Sequence, residues 1–148
     1  MNKIMFLDLE ETLVKSWHDP VFCNTNLIKE LLSVEEIKQV HMFSFAIIDD
    51  NDKKIFEERF KKPLEKHFDI EIVSWMSIDE IMKEVFQFNG IAFEKFEFTT
   101  MWGKLKAFHD FCRNKFKDTE CVLVDDVVPN STFELTDKNL IIRTIHVP

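Results

Sequence analysis

Short apolar runs of strand length recur along this chain, separated by segments of helix length. About five such runs occur, near residues 3–7, 40–48, 70–75, 121–124 and 139–147. Strands buried on both faces read as continuous apolar runs, and parallel strands need a long crossover between them, usually a helix. The pattern therefore predicts an α/β fold, a Rossmann-like parallel sheet of about five strands with helices on both faces.

The intervening segments carry the spacing of amphipathic helices. Apolar periodicity predicts helices near residues 25–32, 55–68, 78–89 and 104–116. Ser77 and Glu80 form the S-x-x-E capping box of the third helix, and Pro63 is expected to kink or bound the second. The alternating stretch at 93–100 is expected to form an extra strand or an extended connection.

Length and composition bound the partners and the compartment. A chain of 148 residues without a linker-like tract predicts one domain. Its net charge of −8 disfavours nucleic acid and anionic membranes as partners. Three cysteines without C-x-x-C spacing, no secretion-signal pattern and no membrane-length apolar run predict a cytoplasmic protein. With only 2 glycines, a Gly-rich phosphate loop is excluded.

Polar and acidic residues stand where strands are expected to end. Asp8 follows the first strand, Ser44 lies in the second, and Asp125 and Asp126 follow the run that begins at Cys121. Ligands of parallel sheets bind beyond the carboxyl ends of the strands, so these side chains are expected to meet there. Grouped carboxylates repel one another, and a hard divalent cation such as Mg²⁺ is the usual way to offset that charge.

Four segments in order resemble the motifs of haloacid dehalogenase (HAD) superfamily phosphatases. "FLDLEETLV" is similar to the first motif and "HMFSF" to the second, a strand that ends in Ser or Thr. Lys104 in "WGKLKAF" resembles the lysine of the third motif, and "CVLVDDVVPN" resembles the fourth. The resemblance covers essentially the whole chain, residues 1–148, and implies a phosphatase that uses Mg²⁺ and an aspartyl-phosphate intermediate.

The resemblance implies roles for the matching residues. Asp8 would be the nucleophile, Glu10 the general acid and base, and Lys104 the cation that offsets negative charge. Phosphate or substrate would be held by backbone or side-chain groups of Leu9, Glu11, Thr12, Ser44, Lys104 and Trp17. The metal would be held by Asp8, the main-chain carbonyl of Glu10, Asp125 and Asp126. Asn130 would brace the loop of the fourth motif.

Glu10 is a departure from the motif, which has Asp at that position. The extra methylene moves the carboxyl group by roughly an ångström, and displacements of that order cost about a hundredfold in rate. Two outcomes follow: an enzyme with adjusted geometry, or a slow or inactive protein that still binds a phosphorylated or nucleotide-derived ligand.

The spacing of the motifs implies a member without a cap domain. A short flap at about 14–24 is the only cover expected from this chain, with Trp17 stacking on a substrate base or packing against the root of the flap. A small ligand would then be covered by the flap or by a second subunit of a homo-oligomer. A nucleotide or related phosphorylated metabolite is the preferred substrate, with a phosphoprotein as the alternative.

Two other families share parts of this pattern. Asp8-x-Glu10-x-Thr12 resembles the first motif of DnaQ-like exonucleases. That family also needs a later H-x-x-x-x-D motif or its Tyr variant, but no His in this chain has an Asp five residues later, and the chain has no Tyr. Receiver domains also place acids, Ser or Thr, and Lys at strand ends, but their acidic pair comes early and their phosphorylated Asp is central. Both alternatives therefore fit the order of the motifs less well.

Overall fold

Six strands form one sheet in the computed structural model, which describes every residue from Met1 to Pro148. They are β1 (Asn2–Leu7), β2 (Gln39–Met42), β3 (Glu71–Trp75), β4 (Thr119–Asp125), β5 (Ser131–Leu135) and β6 (Leu140–His146). Their order across the sheet is β3-β2-β1-β4-β6-β5, and all neighbours are parallel except β5 and β6. The predicted α/β fold is confirmed, with six strands rather than about five.

The additional strand is β5, an antiparallel edge strand that pairs with β6. Its residues are mostly exposed or half-buried, so it lacks the apolar run that identifies the central strands. β2 is also shorter than the apolar run at 40–48, because the chain leaves the sheet after Met42. Ser44 therefore lies on a loop just beyond the end of β2.

Helices occupy the predicted segments between the strands. They are α1 (Thr25–Glu35), α2 (Asp50–Ile55), α3 (Lys62–Phe68), α4 (Ile78–Asn89), α5 (Lys95–Glu97) and α6 (Lys104–Lys115). A π-helical segment, Phe56–Lys61, joins α2 to α3, so the chain stays helical from 50 to 68. Pro63 is the second residue of α3 and lies directly after the π-helical segment, inside this continuous helix, so the helix does not end at it.

The capping box is present, since Ser77 Oγ accepts the Glu80 N–H at 3.2 Å and Glu80 Oε1 accepts the Ser77 N–H at 3.2 Å. The expectation of a strand or extended connection at 93–100 is wrong. This stretch forms α5 and a π-helical segment, Phe98–Trp102. The turn buries the Phe98 ring completely, and this tertiary packing outweighs a short alternating pattern.

One apolar layer lies on each face of the sheet. Alternate residues of β1 divide between them, Met5 and Leu7 in one layer and Phe6 in the other. The first layer is packed by α1 and the 50–68 helix, the second by α4 and α6. None of the helices combines the length and apolar character needed to cross a membrane.

Candidate functional site

Three carboxylates meet at the carboxyl ends of β1 and β4. Asp8 follows β1, and its N–H donates to the Val124 carbonyl of β4 at 3.0 Å. Asp125 is the last residue of β4 and Asp126 follows it. The side chains of Asp8 and Asp125 are buried, Asp126 is half-buried, and the three offer oxygens that all lie within 4.8 Å of one another. The pairing of β1 with β4 thus joins residues that are over a hundred positions apart.

Lys104 supplies the one cation at this cluster. It is the first residue of α6, and its Nζ donates to Asp8 Oδ1 at 2.6 Å and contacts Asp125 Oδ2. The Lys104 side chain is only 8% exposed. Burial by itself lowers the pKa of Lys104, but the charges and hydrogen bonds of the two aspartates outweigh it and raise the pKa. Lys104 is therefore a protonated ammonium near neutral pH.

A single lysine does not balance three carboxylates. Burial and the negative charges of Asp8 and Asp125 raise the pKa of Asp126 to about 6. Asp125 Oδ1 accepts the Val127 N–H at 2.7 Å, whereas the buried Oδ2 has the Lys104 contact but no well-aligned hydrogen-bond donor. Excess negative charge and a carboxylate oxygen short of donors suit a hard divalent cation, which prefers such oxygens. The three residues therefore fit a metal site of that class.

Thr12 and Asn24 fix the loop that follows Asp8. Thr12 Oγ1 donates to Asp8 Oδ2 at 3.1 Å, so both oxygens of the Asp8 carboxylate are hydrogen-bonded. Asn24 Nδ2 donates to the carbonyls of Glu11 and Thr12 at 3.1 and 3.2 Å. Sequence reasoning missed this brace, because an Asn ahead of a helix indicates an N-cap. Asn24 does stand at the N-cap of α1, but its side chain makes no capping bond there.

The backbone of the same loop presents free N–H groups beside Asp8. The N–H groups of Leu9 and Glu10 have no acceptor within the protein, while that of Glu11 donates to the Val14 carbonyl at 2.7 Å. The backbone amides of this loop were predicted to bind phosphate; those of Leu9 and Glu10 are therefore free to do so, whereas that of Glu11 is occupied. Consecutive free N–H groups form the kind of concavity that binds anions.

Ser44 lies next to the cluster at the end of β2. Its side chain is buried, and its Oγ accepts the Ala46 N–H at 3.2 Å. That bond uses a lone pair of the hydroxyl oxygen, so the hydroxyl proton remains to be donated. Ser44 borders the same cleft as Asp8 and Lys104, as its position in the sequence predicted.

The flap spans residues 13–23 and closes on itself by backbone bonds. The Cys23 N–H donates to the Leu13 carbonyl at 3.0 Å, and the Lys15 N–H donates to Val21 at 2.8 Å. The Trp17 indole stacks on Phe60 of the 50–68 helix at a centroid distance of 4.7 Å. Its ring packs against the protein and does not border the cleft.

Glu10 is tied to this flap. Its Oε2 accepts the backbone N–H of Trp17 at 2.6 Å, and the Glu10 side chain borders the cleft at Asp8. No other hydrogen bond to the Glu10 carboxylate is present in the protein. One carboxylate oxygen is thus held by the flap, and the other makes no hydrogen bond or ion pair within the protein.

The open cleft at Asp8 has a volume of about 430 Å³. Its lining also includes Phe45, Ala46, Thr99 and Val127, which sequence reasoning did not identify. Thr99 was missed because its segment was expected to be extended. Val127 was missed because an apolar residue after an acidic pair is expected to be buried in the core. Instead, Val127 is 68% exposed at the mouth of the cleft.

Asn130 does not line the cleft, and its side chain bonds the loop after β4 to the end of β6. Its Oδ1 accepts the N–H of His146, the last residue of β6, at 2.8 Å. The loop after β4 is thereby fixed to the end of the neighbouring strand. Asp125 lies at the start of that loop, so Asn130 supports the carboxylate cluster without touching it.

Comparison with known proteins found no match. No family model matches the chain, and neither does any curated protein or solved structure.

Proposed function

We propose that this protein is a Mg²⁺-dependent phosphatase of the HAD type that hydrolyses phosphomonoesters through an aspartyl phosphate on Asp8. The observation that carries the proposal is the placement of the Asp8 carboxylate. Thr12 and Lys104 hold its two oxygens at the tip of β1, and Asp125 and Asp126 lie within reach of a shared cation. A fixed carboxylate beside a lysine and free backbone amides has the parts that phosphoryl transfer requires.

In the first step, an Asp8 oxygen attacks phosphorus and the ester bond to the leaving oxygen breaks. The leaving oxygen takes a proton from the Glu10 carboxyl group. Lys104 and the free amides of Leu9 and Glu10 balance the charge on the phosphoryl oxygens, which the Ser44 hydroxyl also contacts. Because these donors are in place before the reaction, they stabilise the transition state without reorganisation.

In the second step, water attacks phosphorus, Glu10 accepts the proton of that water, and the Asp8 carboxylate is released with inorganic phosphate. Asp8, Asp125 and Asp126 would hold Mg²⁺, which when bound supplies Lewis-acid polarisation of a phosphoryl oxygen and neutralises negative charge. The Trp17 N–H keeps the Glu10 carboxylate at the mouth of the cleft during both proton transfers.

The charges of the cleft favour substrates with a single phosphate. Its lining contains one basic residue, Lys104, against Glu10, Glu11 and Asp126 in addition to Asp8. A second or third phosphate group would meet these acids without a further cation to bind it. Among nucleotides and related metabolites, we therefore propose monophosphates rather than di- or triphosphates as substrates.

Hydrolysis of p-nitrophenyl phosphate tests the proposal. The native protein is expected to release p-nitrophenol with Mg²⁺ and not with EDTA, and Asp8→Asn is expected to abolish the release. Asp19→Asn, an exposed aspartate on the flap, is the matched control and should retain the native rate. Equal rates for native protein and Asp8→Asn would contradict the proposal.

Binding without turnover is a second candidate function, favoured by the bond that holds Glu10 to Trp17. In this reading, the protein binds a phosphorylated or nucleotide-derived ligand at Asp8 and hydrolyses it slowly or not at all. Glu10→Asp distinguishes the candidates, because a shorter side chain loses the flap bond but has the length that the resembling motif uses. A gain in rate in that variant would identify Glu10 as the cause of slow turnover.

A further inference from the structure

A second cleft lies on the side of the sheet formed by β1, β2 and β3. Its volume is about 640 Å³, larger than the 430 Å³ cleft at Asp8, and the two clefts share no lining residue. It opens between the edge strand β3, the beginning of the 50–68 helix, α4 and the end of α6. Pockets of roughly 300–1,000 Å³ are of the size that binds small molecules.

A β-bulge determines which side chains face each other at this cleft. The register between β2 and β3 shifts after Val40, so that His41 pairs with Ser74 and Val73 is left as an extra residue. On its other side, His41 pairs with Phe6 of β1, and the two rings lie 5.3 Å apart. Bulges re-aim side chains and are over-represented next to functional sites. Here the bulge places a hydroxyl group opposite an imidazole.

One ring nitrogen of the His41 imidazole is hydrogen-bonded, and the other has no hydrogen-bond partner in the protein. Its Nδ1 is 2.6 Å from Ser74 Oγ, while Nε2 has no hydrogen-bond partner in the protein and is not sealed from solvent. Burial, together with the charge of Lys115, lowers the pKa of His41. The ring is therefore neutral near neutral pH, and its orientation is fixed by Ser74. A fixed, neutral ring nitrogen suits an uncharged hydrogen-bonding partner.

The walls of the cleft are apolar and its charges cancel. Val73 is 40% exposed, and it lines the cleft together with the half-buried rings of Trp75 and Phe116. Three lysines and three glutamates stand around these apolar groups: Lys53, Lys54, Lys115, Glu57, Glu80 and Glu84. Two of the lysines are already in ion pairs, Lys53 with Glu80 at 2.6 Å and Lys115 with Glu84 at 4.0 Å. The cleft thus offers no net charge to attract an ionic ligand.

We infer that this cleft binds an uncharged, planar heteroaromatic molecule, whose ring packs on the apolar wall and whose polar edge hydrogen-bonds to His41 Nε2. Aromatic walls bind flat rings through buried area, and a single preorganised polar group fixes their orientation. The inference is independent of the proposed phosphatase function, because neither cleft contributes a residue to the other.

Titration of the full-length ¹⁵N-labelled protein with adenine, cytosine and nicotinamide tests this inference, with benzoate as an anionic comparator. At least one uncharged probe is expected to cause saturable shifts of the amide resonances of Val73 and Ser74, with benzoate binding more weakly. His41→Phe keeps the ring but removes Nε2, and should weaken binding by about three- to tenfold, the loss of one neutral hydrogen bond.

His67→Phe is the matched control, because His67 is also half-buried and its Nε2 lies 2.8 Å from Thr25 Oγ1, outside this cleft. It should leave binding unchanged. If His41→Phe does not fold, Val73→Lys takes its place, since Val73 is partly exposed and a lysine there brings an unpaired charge into the cleft. The inference is overturned if no uncharged probe gives saturable shifts, if the shifts map to the cleft at Asp8, or if the folded His41 or Val73 variant binds as the native protein does.

Discussion

Replacing Lys104 by methionine removes the only basic side chain in ion-pair contact with the clustered carboxylates. In the native protein, one ammonium group serves two buried aspartates, Asp8 at 2.6 Å and Asp125 in direct contact. Removing one partner of a buried ion pair costs about 3–5 kcal/mol, because the remaining charge stays buried without compensation. We expect a loss of that size in metal-free buffer near neutral pH. For a chain of this length the loss lowers Tm by roughly 6–20 °C.

Added Mg²⁺ provides the second part of this test. The cation is expected to take over the charge balance that Lys104 provided, so Mg²⁺ should stabilise Lys104→Met more than it stabilises the native protein. Urea unfolding followed by circular dichroism, with EDTA and then with Mg²⁺, measures both effects. The overall fold should be retained, because methionine matches the length of the apolar part of lysine.

Lys61→Met is the control for the loss of a lysine as such. The Lys61–Glu65 pair is a partly exposed i,i+4 contact at 3.2 Å, and such pairs contribute about 0.3–0.5 kcal/mol. The reasoning is refuted if Lys104→Met costs no more than this control in EDTA. It is also refuted if Mg²⁺ stabilises the variant no more than the native protein.

Three further variants test single features of the site. The pKa of Asp126 is raised from 3.8 to about 6, so the folded native protein loses stability as this carboxyl group ionises across that pH range. Asp126→Asn should therefore stabilise the metal-free protein increasingly between pH 3.8 and about 6. A difference in the free energy of unfolding between variant and native protein that stays constant across this range, measured by urea unfolding, would contradict this. Asn24→Ala removes two hydrogen bonds to the loop after Asp8 and should cost about 1–3 kcal/mol and reduce phosphatase activity, whereas native activity would show that the brace does not position Asp8. Glu11 has a φ of 61°, in the left-handed region that glycine adopts without strain and other residues do not. Glu11→Gly should therefore raise the free energy of unfolding by about 0.5–1 kcal/mol, and a lower Tm would show that the Glu11 side chain stabilises the loop.

The central sheet and the meeting of the strand ends were predictable from sequence. Strands buried on both faces leave apolar runs, and Asp8, Ser44 and Asp125 stand directly after or near the ends of those runs. Parallel pairing then brings the ends of β1, β2 and β4 to one edge, as the structure shows. Lys104 was identified by its resemblance to the lysine of the third motif, and the structure places it at the start of α6.

The features that were missed depend on tertiary contacts or on backbone geometry. β5 carries little apolar signal because it is an exposed edge strand, and the helical segment around Phe98 forms because that ring is buried in the core. The brace from Asn24 joins residues that only the folded loop brings together. The bond between Glu10 and the Trp17 N–H likewise depends on how the flap folds back, which residue types alone do not specify.

Rapid acid quenching of the reaction tests the central role of Asp8 most directly. The native protein is mixed with p-nitrophenyl phosphate and Mg²⁺, quenched with acid within the first turnover, digested with pepsin at acid pH, where an aspartyl phosphate survives, and analysed by mass spectrometry. We expect one phosphoryl group on the peptic peptide that contains Asp8, localised to Asp8 by fragmentation, and no such adduct in Asp8→Asn or with EDTA. Release of p-nitrophenol by a protein that carries no adduct at any quench time, or an adduct on another residue that persists in Asp8→Asn, would contradict the account.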